Sequence, residues 1–363
     1  MVENESVGLA VRVIETRTRG GRANIAFDDA MIALHARGAI PDTIRFLDFT
    51  PTALVGRHQS VSREIDIDHC HRHGIEIARR ITGGGAIYFD EGQLGWELVV
   101  SRRRLALPSL ADYTLRICSG VAAGLSKAFG IDSRFRPRND IEVGGRKLCG
   151  TGGFFDGETL FYQGTLLIDV DPARVMAALK VPRTKLEKRQ LDRPEQRIVT
   201  LKALLGDVPP RDEIRAAIVA GLAAELGLSP KTAAVSESEE AQAARRYQAE
   251  IGTDAFVYDI DDTGGDGVLT ASRTCPGGTL DVFIRLEGPS GAPRIREALL
   301  TGDFFITPPR LVLDLEASLR GVAVSEAGSA VERFFDAHRP QMLSLTPDDF
   351  GAVVEAALAM RGQ

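Results

Sequence analysis

The feature that most constrains this 363-residue chain is a run of three glycines, Gly83 to Gly85, directly after an arginine pair. The apolar alternation over 75–78 predicts a strand that leads into the run. Because glycine has no Cβ atom, the backbone here can approach a ligand closely, or simply form a hairpin turn. Its N–H groups can build an anion-binding concavity, and Arg80 adds a fixed positive charge with forked donors. The run therefore indicates an anion-binding loop at the end of a strand.

A second polar, glycine-rich cluster follows further along the chain. It contains Asn139 and Asp140 and continues through Lys147, Cys149 and Gly150. Lys147 would supply a cationic donor, although a solvated surface lysine fits the same pattern. Asp140 could take part in the chemistry or cap a turn after Asn139. Together the two clusters predict a site that holds a nucleotide and an acyl group.

Composition excludes several classes of function. The net charge of −6 and the pI of 5.7 argue against a nucleic-acid-binding surface as the main role. Four cysteines in a chain of this length do not form a disulfide framework and fit a reducing compartment. We find no secretory signal in the first twenty residues and no apolar stretch long enough to span a membrane. We therefore expect a cytoplasmic protein with no nucleic-acid or membrane partner.

The order of the apolar patterns predicts an α+β fold, because strands and helices do not alternate strictly. The length favours two domains. We expect a catalytic domain over 1–230, a linker over 231–239 that lacks apolar periodicity, and a smaller α+β domain over 240–363. The predicted helices cover 27–34, 65–73, 113–129, 211–226, 240–250, 315–319, 326–337 and 347–361, and the predicted strands cover 8–15, 44–49, 53–55, 75–78, 94–100, 160–170, 267–272, 279–286 and 296–300.

The residues of both clusters carry a family resemblance. The run from Arg80 to Tyr88 resembles the glycine-rich signature of lipoate–protein ligase A, and the segment 139–151 resembles that family's Asn-Asp and lysine–glycine motifs. The segments 55–59, 162–167, 197–201 and 302–305 resemble further parts of these ligases. The resemblance implies a biotin/lipoate ligase-like catalytic domain, with a mixed sheet flanked by helices, and an accessory domain. A biotin ligase is the poorer match, since its glycine-rich loop usually carries interspersed arginines.

The resemblance also implies a two-step reaction. Lipoate would be the substrate, and ATP with Mg²⁺ would convert it to lipoyl-AMP. The lipoyl group would then pass to a lysine of a lipoyl-carrier protein. That carrier could be a dehydrogenase lipoyl domain, a glycine-cleavage-type carrier or a specialised lipoate-binding protein.

The site residues follow from the same resemblance. Lys147 would bridge the lipoate carboxylate and the α-phosphate, and Asp140 would orient Mg²⁺ or the incoming lysine. No resident metal site is expected, because the i, i+4 pair His69 and His73 fits the end of a surface helix. The residues implied in nucleotide binding are Arg80, Thr82, Gly83, Gly84, Gly85, Ala86, Ile87, Tyr88, Lys147 and Gly150.

Two alternative functions stay open from the residues. Cys149 could serve as the acyl-carrying thiol of an octanoyl or lipoyl transferase, or fill a position that needs a small residue. A full accessory domain argues against the transferase, since the thiol transferases that the chain resembles generally lack one. Phe89 and Gln163 stand where many ligases have histidine, which motivates a non-catalytic relative that binds an acyl-adenylate or a carrier. The pair Phe304-Phe305 is expected to lie in the accessory core rather than against a ligand.

Overall fold

An eight-stranded mixed sheet dominates the first part of the computed structural model, which describes residues 8–180, 197–260, 264–275, 278–343 and 345–361. In chain order its region contains the strands β1 (Leu9–Arg19), β2 (Thr43–Phe49), β3 (Thr52–Val55), β4 (Glu76–Arg79), β5 (Ile87–Phe89), β6 (Gln93–Ser101), β7 (Ser133–Arg136), β8 (Asp140–Val143), β9 (Arg146–Asp156), β10 (Thr159–Leu167) and β11 (Leu228–Thr232). The helices are α1 (Gly21–Ala36), α2 (Val61–Glu64), α3 (Ile67–Arg72), α4 (Arg102–Leu105), α5 (Leu110–Phe129), α6 (Pro172–Ala178), α7 (Leu201–Leu205), α8 (Arg211–Leu226), α9 (Glu237–Arg246) and α10 (Asp254–Val257).

The connectivity of the strands places the glycine run beside the large sheet. That sheet has the order β11-β1-β2-β6-β10-β9-β8-β7, and β1 pairs in parallel with both β2 and β11. The strands from β2 to β7 in this order pair antiparallel. A separate small sheet of order β4-β3-β5 carries Gly83 to Gly85 in the connection between β4 and β5. The predicted α+β class, with a mixed sheet flanked by helices, is confirmed.

The two faces of the large sheet have different coverings. On one face Trp96 and Leu98 of β6 belong to the largest hydrophobic cluster, which also includes residues of α5 and α8. Successive residues of a strand point to opposite faces, and directly paired residues share a face. Gln163 of β10 pairs with Glu97 of β6 on one side and with Gly152 of β9 on the other. These three residues therefore share the opposite face, which we call the site face.

Helix α1 is fixed to the site face by a buried ionic group. The guanidinium of Arg45 on β2 contacts Asp28 at 2.5 Å, Glu97 at 2.9 Å and the side-chain oxygen of Asn24 at 2.7 Å. Burial, together with repulsion from Glu97, raises the pKa of Asp28 well above its usual value, and the attraction of Arg45 offsets only part of this effect. Because unpaired buried charges are strongly unfavourable, the group fixes the position of α1 on the sheet.

Helix boundaries differ from the predicted ones where side chains cap the backbone. The helix predicted over 113–129 begins at Leu110, because the Ser109 side chain accepts the Asp112 N–H. The helix predicted over 65–73 is interrupted. Ile65 forms an isolated bridge with Leu179, and the Asp66 side chain accepts a hydrogen bond from the backbone of His69 at the start of α3. Local capping therefore overrides the apolar periodicity at these ends.

The accessory unit is a second layered structure. Its strands are β12 (Val268–Cys275), β13 (Gly278–Glu287), β14 (Arg294–Gly302), β15 (Ile306–Thr307) and β16 (Gln341–Met342), and its helices are α11 (Leu311–Leu319), α12 (Ala327–His338) and α13 (Pro347–Ala359). The strands β12, β13 and β14 form an antiparallel sheet in that order. Residues 275–358 contribute a hydrophobic cluster of their own, with Phe304 and Phe350 buried in it.

The predicted linker over 231–239 contains regular structure. Strand β11 pairs with β1 and ends at Thr232, and α9 packs against α1. Ser236 and Glu239 form a capping box at the start of α9, and Glu239 also pairs with Arg12. The domain limits of 1–230 and 240–363 stay a prediction. We propose that the accessory unit begins with β12, since Val257 still packs in a cluster with residues of β3 and β4.

The accessory unit contacts the glycine run through backbone hydrogen bonds. The N–H of Gly302 donates to the carbonyl of His58 at 2.9 Å, and the N–H of Gly84 donates to the carbonyl of Phe304 at 3.0 Å. The ring of His58 stacks on that of Phe304, with the centroids 5.0 Å apart. Burial and the charges of Arg57 and Arg79 lower the pKa of His58 to about 3, so this ring is neutral in the contact. The two units therefore meet directly at the predicted site.

Among the described residues, we find no helix with the length and apolar character needed to cross a bilayer.

A buried carboxyl on α11 makes the stability of the fold depend on pH. Glu316 accepts the Leu300 N–H at 2.7 Å. Burial raises its pKa to about 7, and repulsion from Asp259 adds to the effect, whereas the Leu300 hydrogen bond and Arg57 act in the opposite direction. The folded protein therefore holds this proton more tightly than the unfolded chain, in which the pKa lies near 4.5.

We predict that the free energy of unfolding decreases as the pH rises from about 4.5 to 7 and that the Glu316 contribution is then constant above the folded pKa. The decrease from this residue is on the order of 3 kcal/mol. Glu316→Gln keeps an acceptor for Leu300 but has no titrating proton, so it removes this part of the slope. Urea unfolding at pH 5 and pH 8 measures it. Equal pH dependence in the two proteins would contradict the assignment.

Candidate active site

The glycine run is held over the site face by backbone hydrogen bonds at the end of β3 and by one side chain of the large sheet. The backbone of Arg80 donates to Val55 at 2.9 Å, and Arg57 donates to the carbonyl of Thr82 at 2.8 Å. From β10, the side-chain amide of Gln163 donates to Thr82 Oγ1 at 2.9 Å. Thr82 is thus a structural link between the small and the large sheet. Its predicted role in nucleotide binding stays a prediction.

The guanidinium of Arg80 is directed at the glycine run itself. Its Nη2 donates to the carbonyl of Gly85 at 2.8 Å and to that of Gly83 at 3.3 Å. Burial lowers the pKa of Arg80 to about 10, so the group stays charged at neutral pH. Because the carbonyls of the run turn toward this cation, Arg80 positions the run, and its positive charge lies directly behind it. Direct contact of Arg80 with ATP stays a prediction.

The preceding arginine has a structural role that the sequence interpretation did not assign. Arg79 is buried, and its Nη1 donates to the carbonyls of Gln59 at 2.6 Å and of Gly56 at 3.2 Å. Its Nε donates to the carbonyl of Val257 at 3.0 Å. The sequence did contain an indication of this role, because Arg79 is a second arginine in a strand of alternating pattern. A buried arginine there would require several hydrogen-bond acceptors. Arg79 connects the loop after β3 to the C-terminal end of α10.

The middle of the run adopts a conformation that favours glycine. Gly84 has φ +93°, in the left-handed region. Its carbonyl packs so closely on Gly56 that a Cβ atom on Gly56 would overlap with it. This geometry agrees with the interpretation of the run as a specific loop rather than an ordinary hairpin turn, since β4 and β5 do not pair with each other.

The second cluster forms an ion triad at the other end of the site face. Lys147 Nζ lies 2.9 Å from Asp140 Oδ1, and Arg136 contacts Asp140 Oδ2 at 2.5 Å. Burial by itself would raise the pKa of Asp140, but the two cations outweigh it and lower the pKa below the usual value. The side chain of Lys147 extends over Gly150, where a Cβ atom would lie only 2.5 Å from Nζ. The ammonium group is therefore held on the site face.

A small cavity opens on the same face, and both apolar and polar residues line it. Among the apolar residues, the rings of Phe49 and Phe89 stack at 4.2 Å. The polar lining includes Gln163, Glu97 and Asp28. The cavity-lining residues are Ile25, Asp28, Leu47, Phe49, Leu54, Arg80, Ile87, Phe89, Gly95, Trp96, Glu97, Gln163, Gly164 and Thr165.

The strand register brings the Lys147 end and the cavity together. Gly150 pairs with Thr165, and Gly152 pairs with Gln163. Thr165 and Gln163 line the cavity, whereas Gly150 lies beneath the Lys147 ammonium. The cavity and the Lys147 ammonium thus lie on neighbouring strands, which are about 4.8 Å apart. The arrangement can hold a carboxylate and a second anion next to each other.

The remaining predicted residues divide between this face and other parts of the fold. Ile87 lines the cavity. Tyr88 and Ala86 belong to a hydrophobic cluster on the small sheet, together with Val55. Burial raises the pKa of the Tyr88 phenol to about 12, and Asp90 adds to the shift. The predicted contribution of Ala86 and Tyr88 through their backbone groups stays a prediction.

Cys149 faces away from the site. Its thiol is buried in the cluster formed with α5, and burial raises its pKa to about 12. Lys147 lowers that pKa only weakly compared with burial. A thiolate nucleophile needs the opposite conditions, namely exposure and a lowered pKa. The position therefore fits a small core residue.

The described residues provide little for a protein-bound metal ion. They contain no group of three His, Cys, Asp or Glu side chains that could hold one. Asp140 already has a cation at each oxygen. The rings of His69 and His73 stack on each other at 4.0 Å near the end of α3, and their predicted place at a helix end agrees with this geometry. Mg²⁺ commonly binds through substrate phosphates and one or two carboxylates, so Asp140 is the side chain here that could contribute.

Comparison with known proteins identifies the family. Residues 21–223, more than half of the chain, match the family model described as the lipoyl protein ligase A/B catalytic domain. The chain belongs to this family. Its members in the comparison include lipoate–protein ligases and octanoyltransferases, so the protein is an enzyme of the lipoylation family.

Individual relatives extend this result. The octanoyltransferase LipM of Symbiobacterium thermophilum is 29% identical over 267 residues, which cover 67% of this chain and 96% of that protein. The lipoate–protein ligase A subunit 1 of Thermoplasma acidophilum is 26% identical over 256 residues, covering 68% and 95%. The structure of LipL1 of P. falciparum in complex with lipoate is 13% identical and superposes with a TM-score of 0.72, covering 95% of this chain and 98% of that one. This last likeness shows that the fold extends through the accessory unit.

We predict that Arg80→Ala weakens the fold, because the carbonyls of Gly83 and Gly85 lose their charged donor. The expected loss in the free energy of unfolding is about 2 kcal/mol or more. Arg146→Ala is the control, since this arginine is exposed, and its expected effect is within about 0.5 kcal/mol. Urea unfolding measures both. Equal stability of the two variants would contradict the positioning role of Arg80.

Proposed function

We propose that this protein is an ATP-dependent lipoate–protein ligase. The observation that carries the proposal is the Lys147 ammonium on the site face, which adjoins a small cavity on the neighbouring strand and faces the glycine run. Adenylation of a carboxylic acid brings a carboxylate and a triphosphate together, so it requires fixed positive charge and N–H donors between them. Lys147, with Arg80 behind the run, supplies that charge.

The first step forms an acyl-adenylate. A carboxylate oxygen of lipoate attacks the α-phosphorus of ATP, the bond to the β-phosphate breaks, and pyrophosphate leaves. Lys147 Nζ would donate to the carboxylate and to an α-phosphate oxygen, which reduces the repulsion between them and stabilises charge in the transition state. Asp140, whose other oxygen pairs with Arg136, holds the ammonium group in position. Mg²⁺ would arrive with the nucleotide and neutralise phosphate charge.

The second step forms the amide. The amine of a carrier lysine attacks the acyl carbonyl, the bond between the acyl carbon and the phosphate oxygen breaks, and AMP leaves. The amine proton passes to the released phosphate or to water. We propose a lipoyl-carrier domain as the partner, which the family membership and the lipoate ligase relative support.

The transferase alternative rests on a specific observation, since an octanoyltransferase is among the relatives. That reaction would pass the acyl group through a thiol on this chain. Cys149 lies in the core cluster with a raised pKa, and Cys118 is also buried, with its pKa raised to about 11. The positions of these thiols favour the ligase over a Cys149-dependent transferase.

The non-catalytic alternative rests on Phe89 and Gln163. Both residues line the cavity, and neither contacts the Lys147–Asp140 pair in the described structure. Their difference from the usual histidines therefore affects the shape of the acyl cavity rather than the charge at the Lys147 end. We propose that they adjust acyl selectivity and leave adenylation intact.

We predict that Lys147→Ala abolishes adenylate formation. Lipoate-dependent exchange of labelled pyrophosphate into ATP measures the first step directly, and a decrease of at least about 100-fold is expected for loss of a charge-stabilising donor. Arg146→Ala is the matched control and should retain most of the exchange. Circular dichroism checks that both variants fold. Exchange by Lys147→Ala at the wild-type rate would contradict the proposed role.

We predict that Cys149→Ser leaves the acyl transfer to a carrier domain within about threefold of the wild-type rate, because the thiol is not a nucleophile. The variant also tests the transferase, which would lose its acyl-carrying group. Intact mass of the carrier after timed incubation measures the transfer. A complete loss in a folded Cys149→Ser protein, with ATP unnecessary in the wild type, would establish the transferase instead.

A further inference from the structure

The segment Gly302–Phe305, which we call the gate loop, lies against both glycine clusters at once. The ring of Phe305 packs on Gly84, where a Cβ atom would be only 2.7 Å from the ring carbon Cζ. The same ring covers Gly152 so closely that a Cβ atom there would overlap with it. The ring therefore fills the gap between the run on the small sheet and the glycines of β9.

The two neighbouring residues have different surroundings. Phe304 is buried in the accessory core, with its ring 5.5 Å from that of Phe350 in an edge-on arrangement. Phe305 is not part of that cluster and is only partly buried. The accessory fold thus uses Phe304 for its own stability and presents Phe305 to the site. The sequence interpretation, which placed both rings in the core, holds for Phe304 and not for Phe305.

A ligand that contacts both glycine clusters would occupy the space that the Phe305 ring fills. The N–H of Gly84 is also used, because it donates to the carbonyl of Phe304. In this arrangement the run cannot offer that N–H to an anion. Both the surface and a donor of the predicted site are therefore taken by the accessory unit.

We propose that the gate loop is an autoinhibitory element whose Phe305 ring occupies the acyl-adenylate position in the closed enzyme. Substrate entry then requires the gate loop to leave the glycine clusters. The inference rests on the proposed function only for the identity of the ligand. The closed contacts and their opening can be measured without any activity.

A disulfide lock tests the gate directly. A Cβ atom on Gly85 would lie 3.6 Å from Cβ of Asp303, within the range that a disulfide spans. The double variant Gly85→Cys with Asp303→Cys should therefore crosslink in the closed arrangement, and the four native cysteines are buried. The two single variants are the controls, and the reduced double variant is its own reference.

The effect of the disulfide is measured as the binding affinity for a non-hydrolysable sulfamate analogue of lipoyl-AMP in a calorimetric titration. We expect the oxidised double variant to lose binding by at least about tenfold and the reduced form to regain it. Equal binding by the oxidised and reduced forms would overturn the proposal. Absence of binding by the wild type itself would instead contradict the proposed function, and the amide-exchange measurement below would then decide the gate.

The variant Phe305→Ala distinguishes a ring that blocks the binding site from a ring that forms part of it. If the ring competes with the ligand, its removal lets the open state prevail, and we expect the analogue to bind at least about threefold tighter. If the ring instead contacts the bound ligand, affinity falls, which would overturn the proposal. Leu313→Ala is the matched control, because this side chain is exposed on α11 of the same unit.

Amide hydrogen exchange tests the opening in the wild-type chain. The N–H groups of Gly84 and Gly302 both bridge the two units. A gate predicts that they exchange together and faster than amides of the central strand β6, and that Phe305→Ala accelerates both by about tenfold or more. Exchange of Gly84 and Gly302 as slow as that of β6, with no change in Phe305→Ala, would overturn the proposal.

Discussion

The buried contact between the Arg80 guanidinium and the carbonyls of Gly83 and Gly85 is the interaction on which the site depends. It fixes the conformation of a loop that has no side chains of its own to hold it. With the carbonyls turned inward, the outer side of the run is left for a partner. In this structure that partner is the accessory unit, through the Gly84 N–H and the Phe305 ring. The same surface would serve an anionic ligand.

The large sheet sets the distances between the parts of the site. The antiparallel register places Gly150 opposite Thr165 and Gly152 opposite Gln163, so the Lys147 ammonium and the acyl cavity lie on adjacent strands. No loop movement is needed to bring these two together. The glycine run is the third part, and it is held against the sheet by the Gln163–Thr82 hydrogen bond. The pairing of β9 with β10 thus places the charged end beside the cavity, and the hydrogen bond from Gln163 places the glycine run against the same face.

Much of the fold and of the site could be predicted from local signals. The arginine–glycine run and the Asp140–Lys147 cluster are separate in sequence, and the structure brings both to one face. The orientation of the side chains could not be predicted, because it depends on register. Cys149 and Lys147 are close in sequence, yet one faces the core and the other the site. The β-bulge between β8 and β9 that allows this has no signal in the composition. The position of Phe305 could not be predicted from the sequence either, since it follows from the packing of the accessory unit on the part of the chain that carries the glycine run.

The most direct test of the account is the intact mass of an unmodified lipoyl-carrier domain after incubation with this protein, lipoate and Mg-ATP. A parallel reaction without ATP and a carrier lacking its target lysine complete the measurement. The account predicts a lipoyl adduct only when ATP and the target lysine are both present. No adduct from lipoate and ATP, together with transfer in an ATP-free reaction to which an acylated carrier has been added, would contradict it and would identify a transferase.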